Sequence, residues 1–342
     1  MIAVRLERIG ATLAGVAGGR VPRERRAISV RLTDDTGTIG VGEAAPLPGY
    51  GADDLESAAQ QLAAWSPPRR SPSDVAAVAG AVAEFTSPAA RYAAETALLD
   101  LVGQHVGCPV HRLLTDRNPC ARPLRWLVTA DAAGDATLAR AWADGVRDVK
   151  LKVGLDDAVE RAALARWRSA YPGLRVVVDA NGTLPADDVV SRCAAYVALG
   201  VQAIEEPVPA DVLLRLPVLP LPVALDESVQ GNEGTRWLAA LASRCDVTAV
   251  VLKPTVLGGV LVARALAITA AGFGLDAIVT HTFDGPVAMV AAAELALALP
   301  GTAAAGLGPH PLLSVFPGWR GAALTTTQIV PHDRPGLGMR GC

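Results

Sequence analysis

Five apolar runs in the middle of this chain each end in a charged residue, and a helix-like segment follows each one. They are Val149–Lys152, Val176–Asp179, Ala203–Glu205, Val223–Asp226 and Val250–Lys253. Their terminal charges, at 152, 179, 205, 226 and 253, stand 27, 26, 21 and 27 residues apart. A sixth run, Ala277–Thr280, leads to His281, another 28 residues on. Between the runs, Asp156 and Asp157 can cap a helix with apolar positions at Val159, Ala163 and Trp167. Asp187 and Asp188 open a second helix that Gly200 can close. Strand–helix units of about 20 to 30 residues need parallel pairing with helices on the sheet faces. Repeated this often, they predict an α/β fold, a modified (β/α)8 barrel of TIM type (β7α-like). In such barrels the active site lies at the C-terminal ends of the strands, where all five charges fall.

The stretch "VKLKVG", residues 149–154, puts Lys150 and Lys152 on one face of a strand, because side chains alternate. Two ammonium groups aimed into a barrel are costly unless something there uses or balances them. Asp179, Glu205 and Asp226 come from three adjacent strands, so their carboxylates are expected to converge. Three such groups stay ionised together only around a cation, and oxygen ligands without Cys or His select Mg²⁺, with Mn²⁺ as a substitute. Lys150 and Lys152 then flank the cluster on one side and Lys253 on the other. A divalent ion on a substrate carboxylate stabilises the enediolate formed when the adjacent carbon loses its proton. A lysine base must be neutral, so its pKa, ordinarily about 10.4, must fall towards about 7 to 8. Lys150 beside Lys152 supplies like charge in that direction.

Composition narrows the remaining classes. The 342 residues are 51% hydrophobic, with mean hydropathy +0.32, which raises the question of a membrane. The longest uncharged stretch, Leu295 to Trp319, is broken by Pro300, Gly301, Gly306, Gly308, Pro309 and Pro311, so no membrane span is expected. Arg5, Glu7 and Arg8 interrupt any signal-peptide core, and a cytoplasmic location is expected. A net charge of −3, from 31 basic and 34 acidic residues without a basic block, argues against nucleic acid. Cys108, Cys120, Cys193, Cys245 and Cys342 show no metal spacing and are expected as buried free thiols. A small-molecule carboxylate is the expected partner. A homo-oligomer is left open, since barrels with exposed apolar helix faces often associate.

In combination these residues resemble the enolase superfamily, in its muconate-lactonising subgroup, over nearly the whole chain. "VKLKVG" is similar to that subgroup's KxK strand, "VVVDANGTL" to its Asp-x-Asn strand, "AIEEP" to the Glu strand, "VALDES" to the Asp strand and "VVLKPTVLGG" to the second lysine strand. The resemblance implies metal ligands at Asp179, Glu205 and Asp226, a base at Lys152 tuned by Lys150, and Lys253 on the opposite face. It also implies an α+β capping domain over residues 1–118, joined by the returning segment 311–342, with the barrel over 119–310. Ile28–Thr33 and Gly40–Glu43 read as paired strands around "DDTGT", and Leu55–Ala64 and Ser87–Leu101 as helices.

"VGEAAPLPGYG", residues 41–51, closely resembles the cap loop of o-succinylbenzoate synthases. That likeness implies loss of water from a cyclohexadiene carboxylate to give o-succinylbenzoate, a lyase step of menaquinone synthesis. Tyr50 on the lid, Asn181, Thr282, Asp284 and Gly285 are the expected substrate contacts. "IVTHTFDGPVAM", residues 278–289, departs from the family pattern, because Pro286 removes a backbone N–H that could grip a carboxylate and His281 is unusual there. His281 is expected to line the pocket, and Trp126 either lines it or packs in the core. Two alternatives use other chemistry. An N-acylamino acid racemase or dipeptide epimerase would use Lys152 and Lys253 as acid and base on opposite faces, and a silent barrel would act as a binding protein.

Overall fold

The structure, a computed structural model, describes residues 1–12, 23–51, 53–310, 312–313 and 319–341. Three antiparallel strands open the chain: β1 (Ala3–Thr12), β2 (Glu24–Thr33) and β3 (Ile39–Ala44), in that order. The β2–β3 hairpin pairs Thr33 with Ile39 across the expected turn. Asp34 ties that turn by accepting from the backbone N–H groups of Thr36 and Thr38. A two-residue strand, β4 (Arg122–Pro123), pairs with Gln328–Ile329 of the C-terminal segment.

Seven parallel strands follow: β5 (Arg125–Val128), β6 (Asp148–Lys152), β7 (Arg175–Asp179), β8 (Val201–Glu205), β9 (Val223–Leu225), β10 (Val247–Leu252) and β11 (Asp276–Val279). They stand in simple chain order, β11-β10-β9-β8-β7-β6-β5. Residues 305–308 close the ring. Gly306 bridges to Thr280 beyond β11, while Ala305 bridges to Leu124 beside β5. The sheet is therefore a closed barrel of the TIM type, with the three-stranded sheet as its cap. Apolar side chains on both faces of the strands explain this, since outward residues such as Leu151 and Val178 meet helices and are fully buried.

Helix boundaries follow the caps in the sequence. Asp156 accepts from Val159 N–H to start the helix Asp157–Ala170, whose Ala163 and Trp167 are buried. Val159 itself is exposed, so the buried stripe of that helix is narrower than its sequence suggests. Ser87 caps the helix Pro88–Val106, with Pro88 in the first turn and Gly107 in the left-handed conformation at the end. This helix runs five residues past Leu101 and is buried along nearly its whole length, between the cap sheet and the barrel.

Its contact with β3 is set by glycine. A Cβ on Gly42 would lie 1.9 Å from the Ala93 carbonyl oxygen, and one on Gly40 would lie 2.1 Å from that of Ala97. Two glycines two apart on a strand thus meet two alanines four apart on a helix, and backbone touches backbone. The C-terminal segment returns to the same helix. Asp100 accepts from Leu337 N–H and Val41 N–H, joining that segment, the helix and β3.

The cysteines differ in part from expectation. Cys193 is buried, but Cys120 and Cys245 are exposed and Cys108 is partly so; Cys342 lies outside the described residues. Among the described residues, no helix is long and apolar enough to cross a membrane.

Gly42→Ala should lower the melting temperature sharply, since overpacking of this kind costs about 1–3 kcal/mol or more. Gly80→Ala, in the helix Val75–Ala81 with nothing within 4 Å of the added carbon, should instead raise stability by about 0.5–1 kcal/mol. Thermal melts of the two variants against the parent check both signs.

Candidate active site

Strand register gathers the charges. Lys152 is paired level with Asp179, and Asp179 level with Glu205. Asp226 and Lys253 each follow the last residue of their strands, β9 and β10. Asp179, Glu205 and Asp226 consequently converge, with one ligand oxygen from each lying within 4.8 Å of the others. All three are essentially inaccessible to solvent. Glu206 does not join them. Its backbone is left-handed (φ 36°), and its carboxylate turns away to accept from Asp226 N–H at 2.7 Å. Asn181 and Phe283, the other left-handed non-glycine residues described, also sit just beyond barrel strands. Such conformations cost free energy and mark sites that the surrounding structure over-determines.

Amines balance the acids. Lys150 Nζ lies 2.8 Å from Glu205 and 3.1 Å from Asp179. Lys152 Nζ donates to Asp179 at 2.6 Å and to Asn181 at 2.7 Å. Lys253 Nζ meets Asp226 at 2.5 Å and also donates to the Tyr50 hydroxyl. Burial favours the neutral amine at all three lysines. At Lys152 burial prevails, aided by the charges of Lys150 and Lys253, and the pKa falls below its ordinary value. The expected influence of Lys150 is therefore present but second to desolvation. At Lys150 and Lys253 burial is outweighed by carboxylates, Glu205 and Asp179 for the first and Asp226 for the second, and both pKa values rise. Burial lifts Asp226 to about 7. Three buried carboxylates held by ammonium groups are an all-oxygen donor set with the charge of a cation already called for, so the residues fit a hard divalent ion.

Above the cluster is a cavity of about 380 Å³. Lys150, Lys152, Lys253, Asn181, Tyr50 and Thr282 line it, together with residues that the sequence did not single out: Arg125, Leu47, Leu127, Thr183, Thr280 and Glu227. Arg125 shares its strand face with Leu127, and a charge inside "LRWLV" was the available signal. The neighbouring Trp126 is core, 3% exposed, with its indole N–H on the Thr326 carbonyl. His281 lines the cavity, but its Nδ1 accepts from Phe283 N–H.

Two expected substrate contacts are not on the cavity. The Asp284 carboxylate is buried and accepts from the backbone and hydroxyl of Thr282. Gly285 N–H donates to Glu43 at 2.6 Å, and Val287 N–H donates to the same carboxylate at 3.2 Å. The helix Pro286–Ala298 thus has its N-terminus capped by the cap's own Glu43.

A family model described as enolase C-terminal domain-like matches residues 134–340. An L-Lys-D/L-Arg epimerase from Methylococcus capsulatus is 31% identical over 265 residues, 74% of this chain and 72% of that protein. An o-succinylbenzoate synthase from Thermosynechococcus vestitus is 31% identical over 234 residues, 63% of this chain and 65% of that protein. The solved structure of a dipeptide epimerase from Methylococcus capsulatus, complexed with Mg and the dipeptide L-Arg-D-Lys, superposes with a TM-score of 0.82 at 26% identity. It covers 99% of this chain and 98% of that one. The chain belongs to the enolase superfamily.

Burial, and then Asp284, push Glu43 up from 4.5 to about 7. A raised carboxyl pKa means that the folded chain favours the protonated form. This contribution to stability is fully present below about 4.5 and is lost as the pH rises through 7. Glu43→Gln does not titrate, so its melting temperature should improve relative to the parent as the pH rises across that window. A difference that stays flat across the window would refute this. Glu43→Ala, which strands two buried N–H groups, should cost about 3 kcal/mol.

Proposed function

We propose that this enolase-superfamily chain inverts the carbon next to a carboxylate, as a racemase or epimerase of N-acylated amino acids or dipeptides. The observation that carries this reading is the opposition of two amines. Lys152, on β6, and Lys253, after β10, reach one cavity from strands separated by β7, β8 and β9. Inversion needs a group on each face, one to remove the α-proton and one to return a proton from the other side. Burial lowers the pKa of Lys152, the direction a base needs, and the Asp226 carboxylate raises that of Lys253, the direction an acid needs. The roles exchange for the opposite enantiomer.

Asp179, Glu205 and Asp226 would hold Mg²⁺, with Mn²⁺ as a substitute. When bound, the ion supplies positive charge where negative charge develops on the substrate carboxylate. Asn181 and Asp179 orient the Lys152 amine through its two hydrogen bonds. Leu47, Leu127, Thr280, Thr282, Phe283 and Gly306 form an uncharged stretch of the cavity wall, which suits a neutral acyl group or side chain.

This reverses the order in which the sequence ranks the two reactions. The o-succinylbenzoate synthase reading leans on "VGEAAPLPGYG". In the fold Glu43 caps a barrel helix, while Arg25 donates to the carbonyls of Ala45 and Pro46 at 2.5 and 2.8 Å. Glu43 of that stretch therefore ties cap to barrel, and Ala45 and Pro46 are held within the cap, structural work that does not depend on the substrate. The epimerase relative, which covers more of the chain than the synthase, supports the same preference.

Incubation in D₂O with Mg²⁺ and a panel of dipeptides and N-acylamino acids should place deuterium at the α-carbon and racemise that centre. Chelation should abolish the activity and Mg²⁺ should restore it. Lys152→Ala should lose on the order of 10² to 10⁴ in rate. Absence of α-deuterium throughout the panel, with dehydration of the cyclohexadiene carboxylate instead, would return the chain to the lyase reading.

A further inference from the structure

The two amines are not held alike. Lys152 donates its hydrogen bonds to Asp179 and Asn181, both on the barrel. Lys253 donates one to Asp226 and the other to Tyr50, which comes from the cap loop. Tyr50 is itself fixed by three barrel residues: its hydroxyl accepts from Lys253 and from Gln230 at 3.0 Å, and donates to Glu227 at 2.8 Å. The Lys253 Nζ also lies 4.5 Å from the centre of the Tyr50 ring. Gln230 in turn donates to the Asp226 carboxylate at 2.9 Å, so the contacts of Tyr50 close a ring around the Lys253 ammonium.

The loop that presents Tyr50 is a tight one. Tyr50 N–H returns to the Leu47 carbonyl at 3.0 Å, and Gly49 and Gly51 on either side adopt the left-handed conformation at φ 77°. Pro46 and Pro48 stiffen its approach. Cap and barrel therefore meet the catalytic machinery through a hydroxyl that touches one amine only.

We infer that Tyr50 is a positioning residue for Lys253 alone, a latch by which the seating of the cap loop sets the proton transfers on one face of the substrate and not on the other. This rests on the racemase or epimerase reading for the meaning of the two faces, while the latch itself is a structural statement. A long lysine side chain that loses one of its two hydrogen bonds, keeping Asp226 and the more distant Glu227 carboxylate at 3.6 Å, gains rotamers and spends less time aimed at the α-carbon. Lys152 keeps both of its direct partners when Tyr50 is changed, because neither Asn181 nor Asp179 bonds to the Tyr50 hydroxyl. Asn181 is linked to it only through Glu227, whose Oε1 accepts from both, at 3.1 and 2.8 Å.

The test is Tyr50→Phe in the Mg²⁺-loaded protein, which keeps the ring and deletes only the hydroxyl. Single enantiomers are incubated in D₂O, and initial α-proton exchange is measured for each. Exchange from the enantiomer whose proton faces Lys253 should fall about 10- to 100-fold, while exchange from its mirror form should stay within about threefold. Backbone amide exchange over residues 46–51, measured without substrate, should rise in the same variant. Equal loss on both faces, or no loss on either, would overturn the assignment. If the parent shows no α-exchange with any substrate, the reaction reading fails instead. In that case amide exchange decides the latch: unchanged protection of residues 46–51 overturns it, and a rise supports it.

Discussion

Three carboxylates out of reach of water, with oxygens within 4.8 Å of one another, are the constraint around which the rest of this molecule is arranged. Two like charges 4 Å apart repel by about 4 kcal/mol at an effective dielectric constant near 20, and burial adds to the cost. The chain meets this with positive charge on every side. Lys150 and Lys253 lie in direct contact with the acids, Lys152 lies against Asp179, and Arg125 Nη1 stands 3.5 Å from Glu205. No short-range segment could assemble this. The acids come from three strands, the amines from β6 and the end of β10, and only a closed parallel barrel brings those ends to one mouth. Burial of the apolar strand faces holds that ring together and so maintains a cluster that would otherwise fly apart.

The cap is tied to this mouth by groups that are themselves buried and polar. Glu43 reaches across 242 residues of sequence to the start of the helix Pro286–Ala298, and Tyr92 donates to the Ala288 carbonyl of that helix at 2.7 Å. Arg25 donates to Phe283, Pro46 and Ala45, linking β2, the cap loop and the cavity wall. Glu294, on the same barrel helix, meets His111 at 2.8 Å and His332 at 2.7 Å, which fastens the short helix Val110–Leu114 and the C-terminal segment. Buried hydrogen bonds of this kind add little net stability each, but leaving one unmade is expensive. They specify the angle at which the cap meets the barrel, and that angle decides where Tyr50 lands.

What the sequence discloses and what it hides divide along a physical line. The barrel strands were legible because parallel strands buried on both faces read as apolar runs, and because the strand–helix repeat recurs at 21 to 28 residues. Lys150, Lys152, Asp179, Glu205, Asp226 and Lys253 were legible because a charge at the end of such a run is costly to bury unless a site there uses it. Asp284 and Gly285 were expected at the substrate, whereas here they bond to Thr282 and Glu43, and nothing local announces a cap supplied from the other end of the chain. Trp126 attracted notice for its ring, while Arg125, one position earlier, had the inward parity. The choice between reactions was drawn from a loop whose residues serve the joint between domains.

The same division bears on how specificity can arise in such a site. On the proposed reading the acids and amines would act on any carboxylate with a removable α-proton, and they are carried at the ends of strands built into the barrel. On that reading the outcome, inversion or elimination, would depend on whether a second amine can meet the carbon from the far side and on what the uncharged cavity wall accepts. Here the far amine is held partly by the cap, and the wall from Leu47 to Phe283 is carried partly by the cap loop and partly by residues that Glu43 and Arg25 brace. A change in the cap can therefore redirect the chemistry without touching an acid or a lysine. Parts of the cap are as structural as the barrel core, Gly42 and Glu43 among them, so variation in substrate is expected to concentrate in cap residues that face the cavity, such as Leu47 and Tyr50.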